Sequence, residues 1–183
     1  MPRGIPLLAL VALCSCRGPA GTYQNSHLRF DYLSGWSVSK DELVAKGAAR
    51  VVNIQGPHHA VLTIALFAKD SLANLRSFAA SMEKNRGGAV GEKLTVAGIA
   101  LGSEKKGTGS AEATARIAGE ITKGIAQHFA VEVVGVEVPH EADFYQRDLG
   151  SRKVIFMNQV ADKHAAATQE GFQRIYDTVA FNE

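Results

Sequence analysis

The chain has 183 residues, 46% of them hydrophobic and 21% charged, with 18 Gly and 5 Pro. This composition suits one domain and excludes collagen, a coiled coil and wholesale disorder. Lys plus Arg number 20 and Asp plus Glu 18, a net charge of +2, so no basic field argues for nucleic acid as a partner. The two cysteines, Cys14 and Cys16, both lie near the start.

Arg3 and the α-amino group form a small positive region ahead of the uncharged apolar run of residues 5–13 (IPLLALVAL). That run is far shorter than the roughly 20 residues a helix needs to cross a hydrocarbon core, so it reads as the apolar part of an export signal. Leu13-Cys14-Ser15-Cys16 resembles the lipobox of bacterial lipoproteins. The resemblance implies cleavage between Ser15 and Cys16 and a lipid on the Cys16 sulfur, with Cys14 leaving in the signal. Small Ser15 suits a bond threaded extended through a peptidase. The competing box, Val11-Ala12-Leu13-Cys14, places bulky Leu13 there instead. A plain secretory signal, with both cysteines discarded or paired, is the other reading of this segment. Arg17 stands where an Asp would be the usual inner-membrane retention cue, which favours the outer membrane. The expected organisation is a signal over 1–15, a lipidated N-terminus and flexible tether over 16–26, and a folded domain over 27–183.

Leu28, Phe30 and Tyr32 alternate with polar neighbours, the period-two mark of a strand. Ser34-Gly35 predicts a turn, and residues 36–38 resume the strand pattern. Residues 50–55 and 60–68 are rich in β-branched side chains and predict two further strands, joined by a turn at Gln55-Gly56-Pro57-His58. Asp70-Ser71 reads as the N-cap of a helix to about Asn85, with Leu72, Leu75, Phe78, Ala79 and Met82 on one face. The glycine-rich stretch 87–109 predicts loop with at most short strands, and residues 111–117 a clear strand. Thr122-Lys123-Gly124 predicts a hairpin turn, residues 125–134 the partner strand, residues 139–152 a loop running into the next element, and residues 152–157 a central strand buried on both faces. A closing helix over about 162–178 would bury Phe172, Ile175 and Tyr176, with Val179 beyond it. The fold class is α+β, with a mostly antiparallel central sheet covered by helices.

Residues 27–38, HLRFDYLSGWSV, carry Phe30, Tyr32, Gly35 and Trp36 in the spacing of a F-x-Y-P-x-G-W opening, with Leu33 in place of the Pro. With the order of elements that follows, the chain over about 27–181 resembles the PsbP family, which includes bacterial lipoproteins of the DcrB type. The resemblance implies an α/β/α sandwich and a non-catalytic assembly, stabilising or binding role, with no cofactor and no catalytic residues. The four motif residues are structural: two aromatics on a buried sheet face, a glycine for a turn and a tryptophan for the core.

Chemistry-bearing motifs are few. No G-x-S-x-G, P-loop or spaced G-x-G-x-x-G occurs, and Gly107-Thr108-Gly109-Ser110 reads as a hairpin turn. His58 and His59, on a strand, would point to opposite faces. His128 and Glu132 would share a strand face about 13 Å apart. His140, Glu141 and Asp143, on the predicted loop, are the weak metal candidate, without any fixed ligand spacing. Lys105-Lys106 and the run from Arg147 to Lys153 read as solvated loops, and Phe144 and Tyr145 as loop aromatics that an interface would use.

Three functions follow in order: a membrane-anchored envelope module that binds or assembles with a protein partner without catalysis; a small-molecule or metal-ion binder using a pocket between sheet and helix; and an enzyme of unrecognised type. The first expects the membrane as partner through the lipid on Cys16, and contacts through a sheet face or the 87–109 and 139–152 segments.

Overall fold

The computed structural model describes residues 21–44, 47–88, 94–96, 99–101, 104–133 and 136–182, with side chains described outside 85–109 and 132–135. Cys14, Ser15 and Cys16 lie outside the described residues. Alternating side chains, with bulky residues on both faces of the central strands, build a sheet that needs cover on each side. Seven strands satisfy this: β3 (Ser37–Val44), β4 (Ala49–Gln55), β5 (Val61–Ala68), β8 (Glu104–Ile117), β9 (Glu120–Val133), β10 (Val136–Leu149) and β11 (Arg152–Ala161). Their order is β3-β4-β5-β11-β10-β9-β8, and each described pair is antiparallel. β11 is central, with Val154–Met157 buried on both faces as the sequence predicts.

Two layers cover the sheet. Helix α1 (Leu75–Gly88) packs Leu75, Phe78, Ala79 and Met82 against Phe129, Val131, Ala142, Phe144 and Met157. On the opposite face, helix α2 (Ala165–Thr178) joins a small sheet of β1 (Gly21–Gln24), β2 (Leu28–Tyr32) and β12 (Ala180–Phe181), in the order β1-β2-β12. That layer buries Leu28, Phe30, Trp36, Phe172, Ile175 and Tyr176 over Ile54, Leu62, Ile64 and Phe156. A short hairpin, β6 (Leu94–Val96) and β7 (Ile99–Leu101), lies in the glycine-rich stretch. The result is an α+β sandwich.

The motif residues hold the second layer. Phe30 is fully buried, and Tyr32 is half-buried over Gly21. Gly35 has φ 83° in the turn closed by Trp36 N–H to the Leu33 carbonyl at 3.1 Å, a conformation that favours glycine. Trp36 meets Phe172 edge-on with ring centroids 5.0 Å apart.

Several expectations are corrected. Residues 21–24 of the expected tether form β1, held to β2 by four register pairs. Helix α1 starts at Leu75 rather than at Asp70-Ser71. Its cap is Asn74, whose Oδ1 accepts from Ser77 N–H at 3.0 Å while Ser77 Oγ accepts from Asn74 N–H at 3.1 Å, and Leu72 lies before it, 94% exposed. Thr122-Lys123-Gly124 lies inside β9. The turn comes several residues earlier, at Ala118 (φ 49°) and Gly119 (φ 82°), and Ala118 N–H donates to the Tyr176 carbonyl at 2.8 Å. Gly124 is glycine for another reason: it faces Tyr145 across the ladder, and a Cβ there would strike the Tyr145 ring and the Phe144 carbonyl. Gly107–Ser110 is likewise strand, spanning a register shift between Lys105 and Gly109. Residues 139–149 of the expected 139–152 loop are strand β10.

Candidate functional site

Strand β10 decides what its polar residues can do. The pleat sends Glu141, Asp143 and Tyr145 to the α2 face, while His140 shares the α1 face with Ala142 and Phe144. His140 stacks on Phe129 at 5.6 Å and its Nδ1 lies 2.8 Å from the Val138 carbonyl. His140, Glu141 and Asp143 therefore do not converge on one point, and the described residues hold no group of three His, Cys, Asp or Glu placed for a metal ion.

What does converge is a cleft of about 390 Å³ between α2 and strands β8, β10 and β11. Its origin is side-chain size. The facing positions of β8 carry Ala113 and Ala115, and the first turn of α2 carries Ala165 and Ala166, so helix and sheet do not close fully. Glu141, Asp143, Tyr145 and Asn158 line the sheet side, and Gln169, Phe172, Gln173 and Tyr176 the helix side. The ladder register pairs Asp143 with Asn158, and Asn158 Oδ1 accepts the Asp143 backbone N–H at 3.0 Å.

The electrostatics of the cleft are those of acids held out of water. Burial raises Asp143 above the ordinary carboxylate value, opposed by hydrogen bonds from Asn158 and Tyr145 and by nearby His128. Burial raises Glu141 too, with Asp143 and Asp162 adding to the shift and His128 opposing it. Tyr145 is raised by burial and then by Asp143. Tyr176 is also raised, first by burial and then by Tyr145 and Asp143. Its hydroxyl is buried and has no partner at hydrogen-bond distance and angle among the described residues, while Asn158 lies near enough to oppose the shift.

The other candidates resolve into structural roles. Phe144 and Tyr145 are 0% and 3% exposed, so they are core rather than exposed interface aromatics. Arg147 pairs with Glu120 at 2.7 Å and donates to the Ile117 carbonyl at 3.1 Å, and Lys153 donates to the Ser71 carbonyl at 2.7 Å. These basic residues pin the β8–β9 turn and the approach to α1. The Lys105 and Lys106 side chains, and that of Glu132, lie outside the described residues. His58 and His59 sit in a short turn with φ 58° and 61°, and His58 stacks on His164 at 4.1 Å.

Sequence reasoning finds Tyr176 as core but not its unmatched hydroxyl, and it does not find Asn158, Gln169 or Gln173. These residues come from separate elements, and no local pattern links them. The one available signal is the run of alternating alanines in β8, which marks a face too small to fill.

Among solved structures, the chain is similar to the solution structure of cyanobacterial PsbP (CyanoP) from Synechocystis sp. PCC 6803, with a TM-score of 0.50 at 12% identity, over 94% of this chain and 99% of that one. The fold is PsbP-like. Two crystal structures are more loosely similar to this PsbP-like chain, each over 85% of it. One is a Bacteroides thetaiotaomicron protein, at 9% identity, 45% of that chain and a TM-score of 0.44. The other is LpqN, involved in cell envelope biogenesis of Mycobacterium tuberculosis, at 12% identity, 83% of that chain and a TM-score of 0.43. No protein-family model and no curated protein matches the sequence. At these identities the likeness speaks to the fold, and the PsbP-like arrangement agrees with the expectation from Phe30, Tyr32, Gly35 and Trp36.

Proposed function

We propose that this chain is a lipid-anchored module of the bacterial cell envelope that binds its ligand without transforming it, in the cleft beneath α2. The observation that carries the binding reading is the cleft itself, where polar groups from three strands and a helix converge on unfilled space. Its lining supports binding over catalysis. Among the described residues that line it there is no Ser, Cys, His or Lys. Glu141 and Asp143 stand two residues apart on one strand and are shifted in the same direction. Paired carboxylates in hydrolysis instead flank the scissile bond with their proton affinities pushed apart.

The anchor is supported by the sequence of residues 5–16, and the 16–20 segment leads directly into β1. No helix among the described residues is long and apolar enough to cross a membrane. Lipid on Cys16 would supply membrane attachment, with each buried CH₂ worth about 0.8 kcal/mol. The absence of Asp after Cys16 favours the outer membrane. An envelope protein partner fits this placement, and the near-neutral charge gives nucleic acid no purchase.

The test is fractionation of Cys16→Ser in the native host. The expected result is loss of both the membrane-associated pool and the acyl mass. A variant that still sediments with membranes would overturn the anchor.

A further inference from the structure

The cleft has a chemical preference, and it rests on reading the cleft as a binding seat. We infer that it takes a small organic cation, an ammonium or guanidinium group on a short apolar stem.

Three independent features converge. The first is the Tyr176 hydroxyl, which is sealed beneath the cleft on a lining residue 3% exposed and has no hydrogen-bond partner among the described residues. A buried hydroxyl left unpaired is costly, and a ligand N–H that parts the side chains covering it would satisfy it, since tyrosine oxygen accepts as well as donates. The second is charge. Glu141 and Asp143 are the charged groups among the described lining residues, with no Lys, Arg or His beside them. His128 on β9 and Asp162 after β11 are charged or titratable groups outside it that act on Glu141. A cation relieves two half-buried carboxylates, whereas an anion would be repelled. The third is shape. Phe172, Val160, Ala115 and Ala165 give the cleft an apolar wall, and the Tyr145 and Tyr176 rings meet edge-on at 6.0 Å beside the acids. Aromatic rings attract cations and an apolar wall accepts a hydrocarbon stem. The volume of about 390 Å³ lies at the small-molecule end of the range for ligand pockets.

A hard divalent ion fits less well, because it would seek six or more oxygen ligands around one point, and no three His, Cys, Asp or Glu groups are placed for a metal among the described residues. A soft or borderline ion would want His or Cys, and the lining has neither.

The experiment is calorimetric titration of the full chain with n-butylammonium and n-butylguanidinium, compared with butyrate, n-butanol, and magnesium or calcium chloride alone. Saturable binding of at least one organic cation is expected, with none by butyrate and weaker binding by the alcohol. Asp143→Asn should weaken it by about tenfold or more, as hydrogen bonds to charged groups do. Glu141→Gln provides the same comparison at a second position should Asp143→Asn fail to fold. Tyr176→Phe should weaken binding by about fivefold, the worth of one neutral hydrogen bond. It should also leave the free protein's Tm unchanged or higher, because the hydroxyl forms no internal bond. That opposition of affinity and stability is not what a purely structural tyrosine gives. Equal binding of butyrate or butanol overturns the cation preference. So does binding of the divalent ion without the organic cations. If a neutral solute binds and the cleft-filling Ala115→Phe abolishes it, the binding seat stands and the preference falls. If none of these probes binds and Ala115→Phe leaves the protein unchanged in the cell, both readings fall.

Discussion

Gly171 lies in the middle of α2, where replacement by alanine ordinarily gains about 1 kcal/mol of helix propensity. Here the tertiary packing opposes it. The Trp36 indole rests on the helix backbone at Gly171, so that a Cβ would overlap the ring, and its other side is bounded by Gly56, where a Cβ would come within 2.6 Å of it. Overpacking a filled core costs about 1–3 kcal/mol, which exceeds the propensity gain. Gly171→Ala is therefore expected to lower stability by about 1–2 kcal/mol in urea unfolding. A variant as stable as the native protein would show that Trp36 does not fill this place. The same indole gives the sequence motif its physical meaning: Gly35 turns the chain so that Trp36 enters between α2 and Gly56 at the end of β4. Phe30, Gly35 and Trp36 were legible in the sequence because each acts within a few residues of its neighbours. Gly124 was misread because the same residue type serves turns and close ring contacts, and only the partner strand tells them apart.

At the scale of elements, one polar cluster fastens the small sheet to the large one. Asp41 of β3 accepts from Arg50 of β4, Nε to Oδ1 at 2.7 Å and Nη2 to Oδ2 at 2.8 Å, and also from the Tyr23 hydroxyl of β1. The Arg50 bonds, opposed by burial and reinforced by Tyr23 and Asn25, pull Asp41 from 3.8 down to about 2. A lowered carboxylate stabilises the fold above its unfolded value, and this contribution is lost as pH falls from 3.8 to about 2. Asp41→Asn is expected to reduce Tm at neutral pH and to flatten the acid limb of the Tm–pH curve. Amides of β1 should also exchange faster in that variant, because β1 loses its tie to β3. Unchanged exchange at residues 21–24 would mean that pairing with β2 alone holds the strand. The error in placing β10 also belongs to this scale. Pro139 and five charged residues in 137–148 read as loop. Yet one face of the strand, Ala142 and Phe144, meets α1, and the other, Asp143 and Tyr145, meets the α2 layer. A strand covered on both sides need not show the polar–apolar alternation on which recognition depends.

For the whole molecule, the sheet divides two cores of unequal completeness. The α1 face and the half of the α2 face beneath the small sheet are closed by Phe129, Phe144 and Met157 and by Phe30, Trp36 and Phe156. The quarter above β8 and β10 is left open by alanines, and the acids lie there. Their effect on stability is opposite in sign to that of Asp41. A carboxyl raised by burial favours the folded state while protonated, so its contribution turns unfavourable as pH rises from the ordinary 3.8 through the raised folded value of Asp143. The Tm of Asp143→Asn relative to native should accordingly improve as pH rises through that window towards neutral. A constant difference across it would show that Asp143 is not held out of water. The far edge is protected: β3 carries a register shift between Val38 and Lys40 and the Lys40–Glu42 pair at 2.7 Å, features that discourage addition of a further strand.

By itself the sequence determined the α+β class, the central strand β11 and the buried stripe of α2. Each depends on hydrophobic periodicity or on a motif whose residues are close along the chain. Only the tertiary structure decided that residues 21–24 are a strand, that the segment from 139 is sheet, that Phe144 and Tyr145 are core, and that His140 and Asp143 are on opposite faces. It also decided where the cleft lies. A cavity is the space left by side chains from distant elements, here Ala115 of β8, Glu141 and Asp143 of β10, Asn158 of β11 and Tyr176 of α2. No pattern along one element records the size of what faces it.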